Sequence, residues 1–232
     1  MRMKNVAVAV LLSVLARSSA TGTLRGDEQA ELTGDLRALL RSVSERNINL
    51  RRQAAADLCV ALLKTNGVWR DQRTDPFNHR IPSEEGIRME VNSVRGSKQA
   101  PELAIANMCA HCMGMLKLAA WRIPAHSRED SLEKAVINII KATDDPVVKM
   151  VLLIGVASSE GQGGRDVVVE ATADSHLGVR KGACYLVEKC TAKAFGPIGN
   201  IHIDSAEEDV ETAGKRIRGA YERDKMFGMK TR

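Results

Sequence analysis

The stretch Ser131-Leu-Glu-Lys-Ala-Val-Ile-Asn-Ile-Ile-Lys-Ala-Thr-Asp-Asp-Pro-Val-Val-Lys-Met-Val-Leu-Leu-Ile-Gly-Val-Ala157 decides how the rest of the chain is read. Leu132, Ala135, Val136, Ile139 and Ile140 recur at three- and four-residue intervals, the spacing of one helix face. Ser131 and Lys134 fall short of a capping box, which asks for Glu or Gln in the later place. Asp144-Asp145-Pro146 then stops this helix and starts another. Asp145 is a good cap, and Pro146 takes the first helical position, where its missing N–H costs nothing. The second helix is predicted over Pro146–Ala157.

The same plan returns downstream. Gly161-Gln-Gly-Gly164 reads as a turn, Arg165–Ala173 as a helix with Val167, Val168 and Ala171 on one side, and Asp174-Ser175-His176 as a turn into a helix over Leu177–Cys190. Laying Val148-Lys149 over Val179-Arg180, about 31 residues on, places Leu152-Leu153 on Ala183-Cys184 and Gly155-Val156 on Leu186-Val187. A third copy is legible upstream in Ile48-Asn-Leu-Arg51 followed by Gln53-Ala-Ala-Ala-Asp-Leu58, with Leu32–Val43 as its first helix. Each helix pair has an apolar face that it cannot bury alone, and stacking neighbours hides it.

Asp145-Pro-Val-Val-Lys149 and Asp174-Ser-His-Leu-Gly-Val-Arg180, the latter continued by Gly182-Ala-Cys-Tyr-Leu-Val187, resemble the second-helix signature of HEAT repeats, particularly the short bacterial variety. The resemblance covers about half of the chain. It implies an all-α fold: a short right-handed α-solenoid of HEAT-like helix pairs with an irregular insertion. It also implies that the Asp caps the helix, that the Val faces the core, and that Lys149 and Arg180 pair with carboxylates along the stack. Gly178 and Gly182 depart from the pattern, because glycine is a poor helix former. The function implied is a non-catalytic scaffold that binds a protein partner through its concave helical face. Candidate partner-binding residues are Arg51, Lys149 and Arg180, together with the aromatics Trp69 and Phe77, a residue type that often anchors partners. Two alternatives carry the same resemblance. One is a HEAT-like lyase subunit acting on a bilin or other prosthetic group, which the 3% aromatic content opposes. The other is nucleic-acid binding similar to the HEAT-like DNA glycosylases.

Charge weighs against the last of these. Met1–Lys4 is basic, Val6–Ala16 is almost continuously apolar and Ser18-Ser19-Ala20 is small, which predicts a targeting peptide over 1–20, secretory and cleaved after Ala20. Arg17 keeps a mitochondrial presequence as the alternative. The apolar run is about half the ~20 residues that a membrane anchor needs, so no permanent anchor is expected. Without Arg2, Lys4 and Arg17 the formal charge of +5 falls to about +2, and nucleic acid is disfavoured as a partner.

Other segments break the repeat. Asn66–Pro101 scatters Gly67, Pro76, Pro82, Gly86, Gly96 and Pro101 among charges and predicts an irregular insertion over 66–101. Glu102–Trp121 is apolar nearly all round, which predicts a helix buried at the centre of the fold. The repeat domain is therefore expected over 21–193, with a linker and a C-terminal capping helix over 194–232. Phe195-Gly-Pro-Ile-Gly-Asn200 marks the linker, Ser205 with Glu208 fits a capping box, and Val210, Ala213, Ile217 and Tyr221 form a narrow stripe.

Reactive chemistry has one opening. Cys109-Ala-His-Cys112 could be a redox pair or half a zinc site with His111, but a zinc site wants a second ligand pair, and core packing is the leading reading. Cys59, Cys184 and Cys190 lie among apolar neighbours. Five cysteines are an odd number, so a monomer keeps at least one free thiol. The sequence holds no phosphate-binding loop, His-Glu-x-x-His or Gly-x-Ser-x-Gly, so no catalytic, metal or cofactor residue is assigned and no cofactor is expected. His79, His126, His176 and His202 fall in predicted loops, in solvated or capping roles.

Overall fold

A computed structural model of the chain describes residues 37–65, 83–116, 121, 131–159 and 161–228. Within them the chain is all-helical: α1 (Ile48–Thr65), α2 (Ser83–Gly96), α3 (Pro101–Gly114), α4 (Ser131–Ala142), α5 (Pro146–Ala157), α6 (Gln162–Glu170) with a 3-10 turn over Ala171–Ala173, α7 (Leu177–Thr191) and α8 (Glu207–Gly228). Residues 37–42 are also helical and lead to the buried Val43, while the start of the predicted Leu32–Val43 helix lies outside the described residues.

The centre is α5. Every residue from Val147 to Ala157 except Lys149 is buried, because this helix carries one polar side chain in an otherwise apolar run. Each Val, Leu or Ile so buried stabilises the fold by about 1.5–3 kcal/mol. α1 and α7 pack on α5 as neighbours in one row. Helices α4, α6 and α8 pack against that row and, in that order, against one another. α2 and α3 also pack against the row and against each other.

This arrangement corrects three expectations. The central helix is α5 rather than Glu102–Trp121. α3 buries Ala104, Ile105, Met108, Cys109, Cys112 and Met113, but it exposes His111, which reaches Glu90 of α2 at 3.1 Å. It also stops at Gly114, and Trp121 is non-helical: its backbone N–H donates to Cys190 O (2.8 Å) and its indole N–H to Ala157 O (3.1 Å).

The insertion over 66–101 is helical from Ser83 to Gly96. Glu84 and Glu85 suit the positive end of the helix. Ile87 and Val91 are buried and Val94 is packed on the core, a stripe too narrow to stand out among glycines and charges. Two ion pairs tie α2 to α1: Lys64 to Glu84 and Arg88 to Asp57, both at 2.7 Å.

The capping box predicted at Ser205 does not form. α8 begins at Glu207, and the Ser205 hydroxyl instead accepts from the His202 N–H at 2.9 Å. The stripe itself is real: Val210, Ala213 and Ile217 are buried, and the Tyr221 hydroxyl bonds Asp166 on α6.

Candidate partner-binding site

The three helices of the central row begin alike. Asn47 Oδ1 accepts from the N–H groups of Asn49 and Leu50, Asp145 Oδ1 from those of Val147 and Val148, and His176 Nδ1 from that of Gly178. In each helix the fourth residue is a cation, namely Arg51, Lys149 or Arg180. Each cation reaches a carboxylate at the start of a later helix. Arg51 contacts Asp145 at 3.5 Å beside Arg52 at 3.1 Å, Lys149 contacts Asp174 at 2.7 Å, and Arg180 pairs with Glu207. Arg180 also donates to the carbonyls of Asp174 and Ser175. Three of the candidate partner-binding residues are thus parts of one internal charge ladder. The other two, Trp69 and Phe77, lie outside the described residues, as do His79, His126 and the leader.

The two glycines that break the repeat pattern have a steric reason. A Cβ on Gly178 would stand 2.6 Å from the Glu102 carbonyl oxygen, and one on Gly182 would strike Met150 and crowd Cys109. Their absence of side chains lets α3 lie directly on α7.

Cys109 and Cys112 sit one turn apart on the buried face of α3, and all five thiols are free and buried. Burial, with a smaller contribution from the neighbouring Cys190, pushes the Cys109 thiol far up; burial likewise raises Cys112, and holds Cys184 and Cys190 up to about 12. The thiolate is the nucleophile and the metal ligand, so these thiols are held in their inert form. Their S–H groups point at backbone carbonyls: Cys109 at Gly182 and Cys190 at Ala157. Among the described residues no group of three or more His, Cys, Asp or Glu side chains is placed to hold a metal, and no helix is long and apolar enough to cross a membrane.

Buried carboxylates are likewise committed. Glu133 of α4 accepts from the Ser159 hydroxyl at 2.6 Å and from the Gly164 N–H at 3.2 Å, and Ser159 Oγ accepts from the Gly161 N–H at 2.8 Å. Glu133 thereby caps α6, so the helix starts at Gln162, where the sequence predicts a turn. Arg165 of α6, itself buried, lies over the Trp121 ring at 5.7 Å. Neighbouring cations also have partners within the chain: Arg51 and Arg52 turn to Asp145 and Arg218 to Thr172, while the exposed Lys215 pairs with Glu211 one turn away and the exposed Arg216 donates to the Phe195 and Gly196 carbonyls.

Among the described residues an opening lies where α3 leaves the last turns of α7. A crevice of about 410 Å³ is lined by Tyr185, Lys189, Ala192, Asn200 and His202 over a floor of Glu188 and Ile201. A narrow extension runs between Ala106 and Ala110 of α3 and Lys181 of α7. Lys189 lies over the Tyr185 ring at 5.2 Å. The far wall includes Asn200 of the loop read as a linker, and that loop is tightly held. The buried Glu188 accepts from the N–H groups of Phe195 and Ile201, both at 2.8 Å, and Arg216 donates to the Phe195 and Gly196 carbonyls. Gly199 has φ +143°, a conformation that favours glycine. Ile198 stands at the loop's tip, 98% exposed.

No family model, curated protein or solved structure matches the chain. Sequence reasoning missed this crevice. The one signal present was Glu188, an acid on a helix side otherwise filled by Ala183, Cys184, Leu186, Val187 and Cys190. A buried acid needs donors, and here the backbone amides of Phe195 and Ile201 in the segment that follows supply them.

Proposed function

We propose that this protein is a non-catalytic scaffold, a short right-handed α-solenoid of HEAT-like helix pairs that binds a protein partner along the face of its second helices. The observation that carries this reading is the threefold recurrence of a capped helix start whose fourth-residue cation reaches a carboxylate ahead of a later helix. Such a ladder ties each unit to its neighbour, which is how repeats that cannot fold alone share stability. The side chains that could do chemistry support a holding role, since the thiols are raised by burial and Glu133, Asp145 and Asp174 serve helix starts.

On the α5 and early α7 side the face is covered by α2 and α3, and the exposed remainder is the Tyr185–Ala192 end of α7 with its loop. A partner engages there. Photo-crosslinkers placed at positions 198, 189 and 89 of the full chain, used in its native compartment, test this. A discrete protein adduct at 198 or 189, reproduced with the purified partner, is expected; no protein adduct at any of the three overturns the scaffold reading. Export is a further part of the proposal, carried by the 1–20 leader, and a mature N-terminus at Thr21 is its expected signature.

A further inference from the structure

Resting on that reading, we infer that the surface around the α7 crevice takes an acidic peptide segment carrying an apolar residue, with the acids on Lys189 of the crevice and Lys193 just past it and the apolar side chain on Ile198 of the adjoining loop. Three observations converge on it. The first is charge: between Lys181 and Ile203 the chain carries Lys181, Lys189 and Lys193 and a single acid, Glu188, which is buried with both oxygens occupied by backbone amides. Lys189 therefore lines the crevice exposed and Lys193 is exposed one residue past the lining Ala192, while Lys181 donates to the Ile203 carbonyl and the one anion is turned in.

The second is the loop. An isoleucine that is 98% exposed gains nothing from folding, yet its loop is pinned by four bonds from two charged side chains, one of them buried. A fixed backbone under an exposed apolar side chain is a preorganised contact, which avoids the ordering cost that a mobile loop incurs on binding.

The third is direction. The acidic start of α8, with Asp204, Glu207 and Glu208 exposed, bounds the basic surface near His202, so an acidic peptide is repelled there and held toward Lys189 and Lys193. The aromatic ring of Tyr185 on the wall and a volume of about 410 Å³ suit a few residues of extended chain.

The experiment uses the full chain against an array of immobilised nonapeptides with four Asp or Glu flanking one Leu at each position, and the same array with every acid replaced by Lys. Acidic peptides are expected to retain the protein and lysine peptides are not, with retention falling at least tenfold between 50 mM and 300 mM salt. K189E/K193E should lower retention about tenfold or more, and Ile198→Asp similarly, while Met89→Asp, an exposed apolar site on α2, should leave it unchanged. All these positions are exposed, so unchanged helicity and melting accompany the loss. Equal retention of both arrays, no retention of either, or retention indifferent to Ile198→Asp and K189E/K193E overturns the inference. The scaffold reading fails separately: a crosslinked partner on α2 with no acidic preference at α7 sinks this site alone, whereas no protein adduct anywhere sinks both.

Discussion

The starts of α5 and α6 are both capped by a buried carboxylate, and they differ in where that carboxylate comes from. Asp145 immediately precedes α5 and turns back on the N–H groups of Val147 and Val148, while α6 is capped by Glu133 from α4, 31 residues before Gly164. A local cap needs only the chain's own turn geometry. A remote one exists only after α4 and α6 have packed, so the first turn of α6 is a consequence of tertiary structure rather than one of its causes.

Substitutions separate the two kinds. Asp145→Ala should have the largest effect, about 4 kcal/mol of stability in urea unfolding, because it removes the cap and leaves Arg51 and Arg52 facing a site without its acid. Asp145→Asn, still a good cap, should recover roughly half of that; a full loss in both variants would assign the whole effect to the ion pairs. Glu133→Ala comes next at about 3 kcal/mol, since two buried donors lose their acceptor. Hydrogen exchange in this variant should rise at 162–165 and not at the start of α5. Protection unchanged at those amides would falsify the remote cap.

Gly164→Ala gives a sign test. In an ordinary helix this exchange stabilises by roughly 1 kcal/mol, but here the added Cβ would meet Glu133 Oε1 at 2.7 Å and the Val156 carbonyl at 2.9 Å. A loss of about 2 kcal/mol is expected instead, from overpacking. Lys149→Met cuts one rung of the ladder and should cost about 1 kcal/mol, the pair with Asp174 being largely shielded from water. Smallest is His176→Asp, which puts a stronger acceptor at the one cap that is neither Asp nor Asn; a gain of roughly 0.5 kcal/mol in thermal unfolding is expected, and a loss would mean that the imidazole is held by more than its bond to Gly178.

The same division runs through what the sequence revealed. The helices over Ser131–Ala142 and Pro146–Ala157 and the one from Leu177 were legible because spacing, cap and proline agreed within a few residues. Asp145, Lys149 and Arg180 were legible as a repeat for the same reason; Asp145 caps α5, and Lys149 and Arg180 pair with Asp174 and Glu207. Three features were not. α2 was hidden because Gly86 and the flanking charges diluted a stripe of three side chains. The crevice at Tyr185 was hidden because the loop beside it, Phe195–Asn200, reads as a linker from its Gly, Pro and Asn, and what orders it is Glu188 and Arg216 from two different helices. α3 was seen as a helix but misplaced, since an alanine-rich segment looks oily on every side while His111 and Asn107 keep one side at the surface.

By itself the sequence determined most of the helices and where several of them begin, because hydrophobic period and capping act over one or two turns. Tertiary structure alone decided which helix lies at the centre, which glycines are obligatory and which cations stay on the surface. Those outcomes depend on what a side chain meets from another helix, and a glycine such as Gly182 looks the same in the chain whether it faces water or the sulfur of Met150.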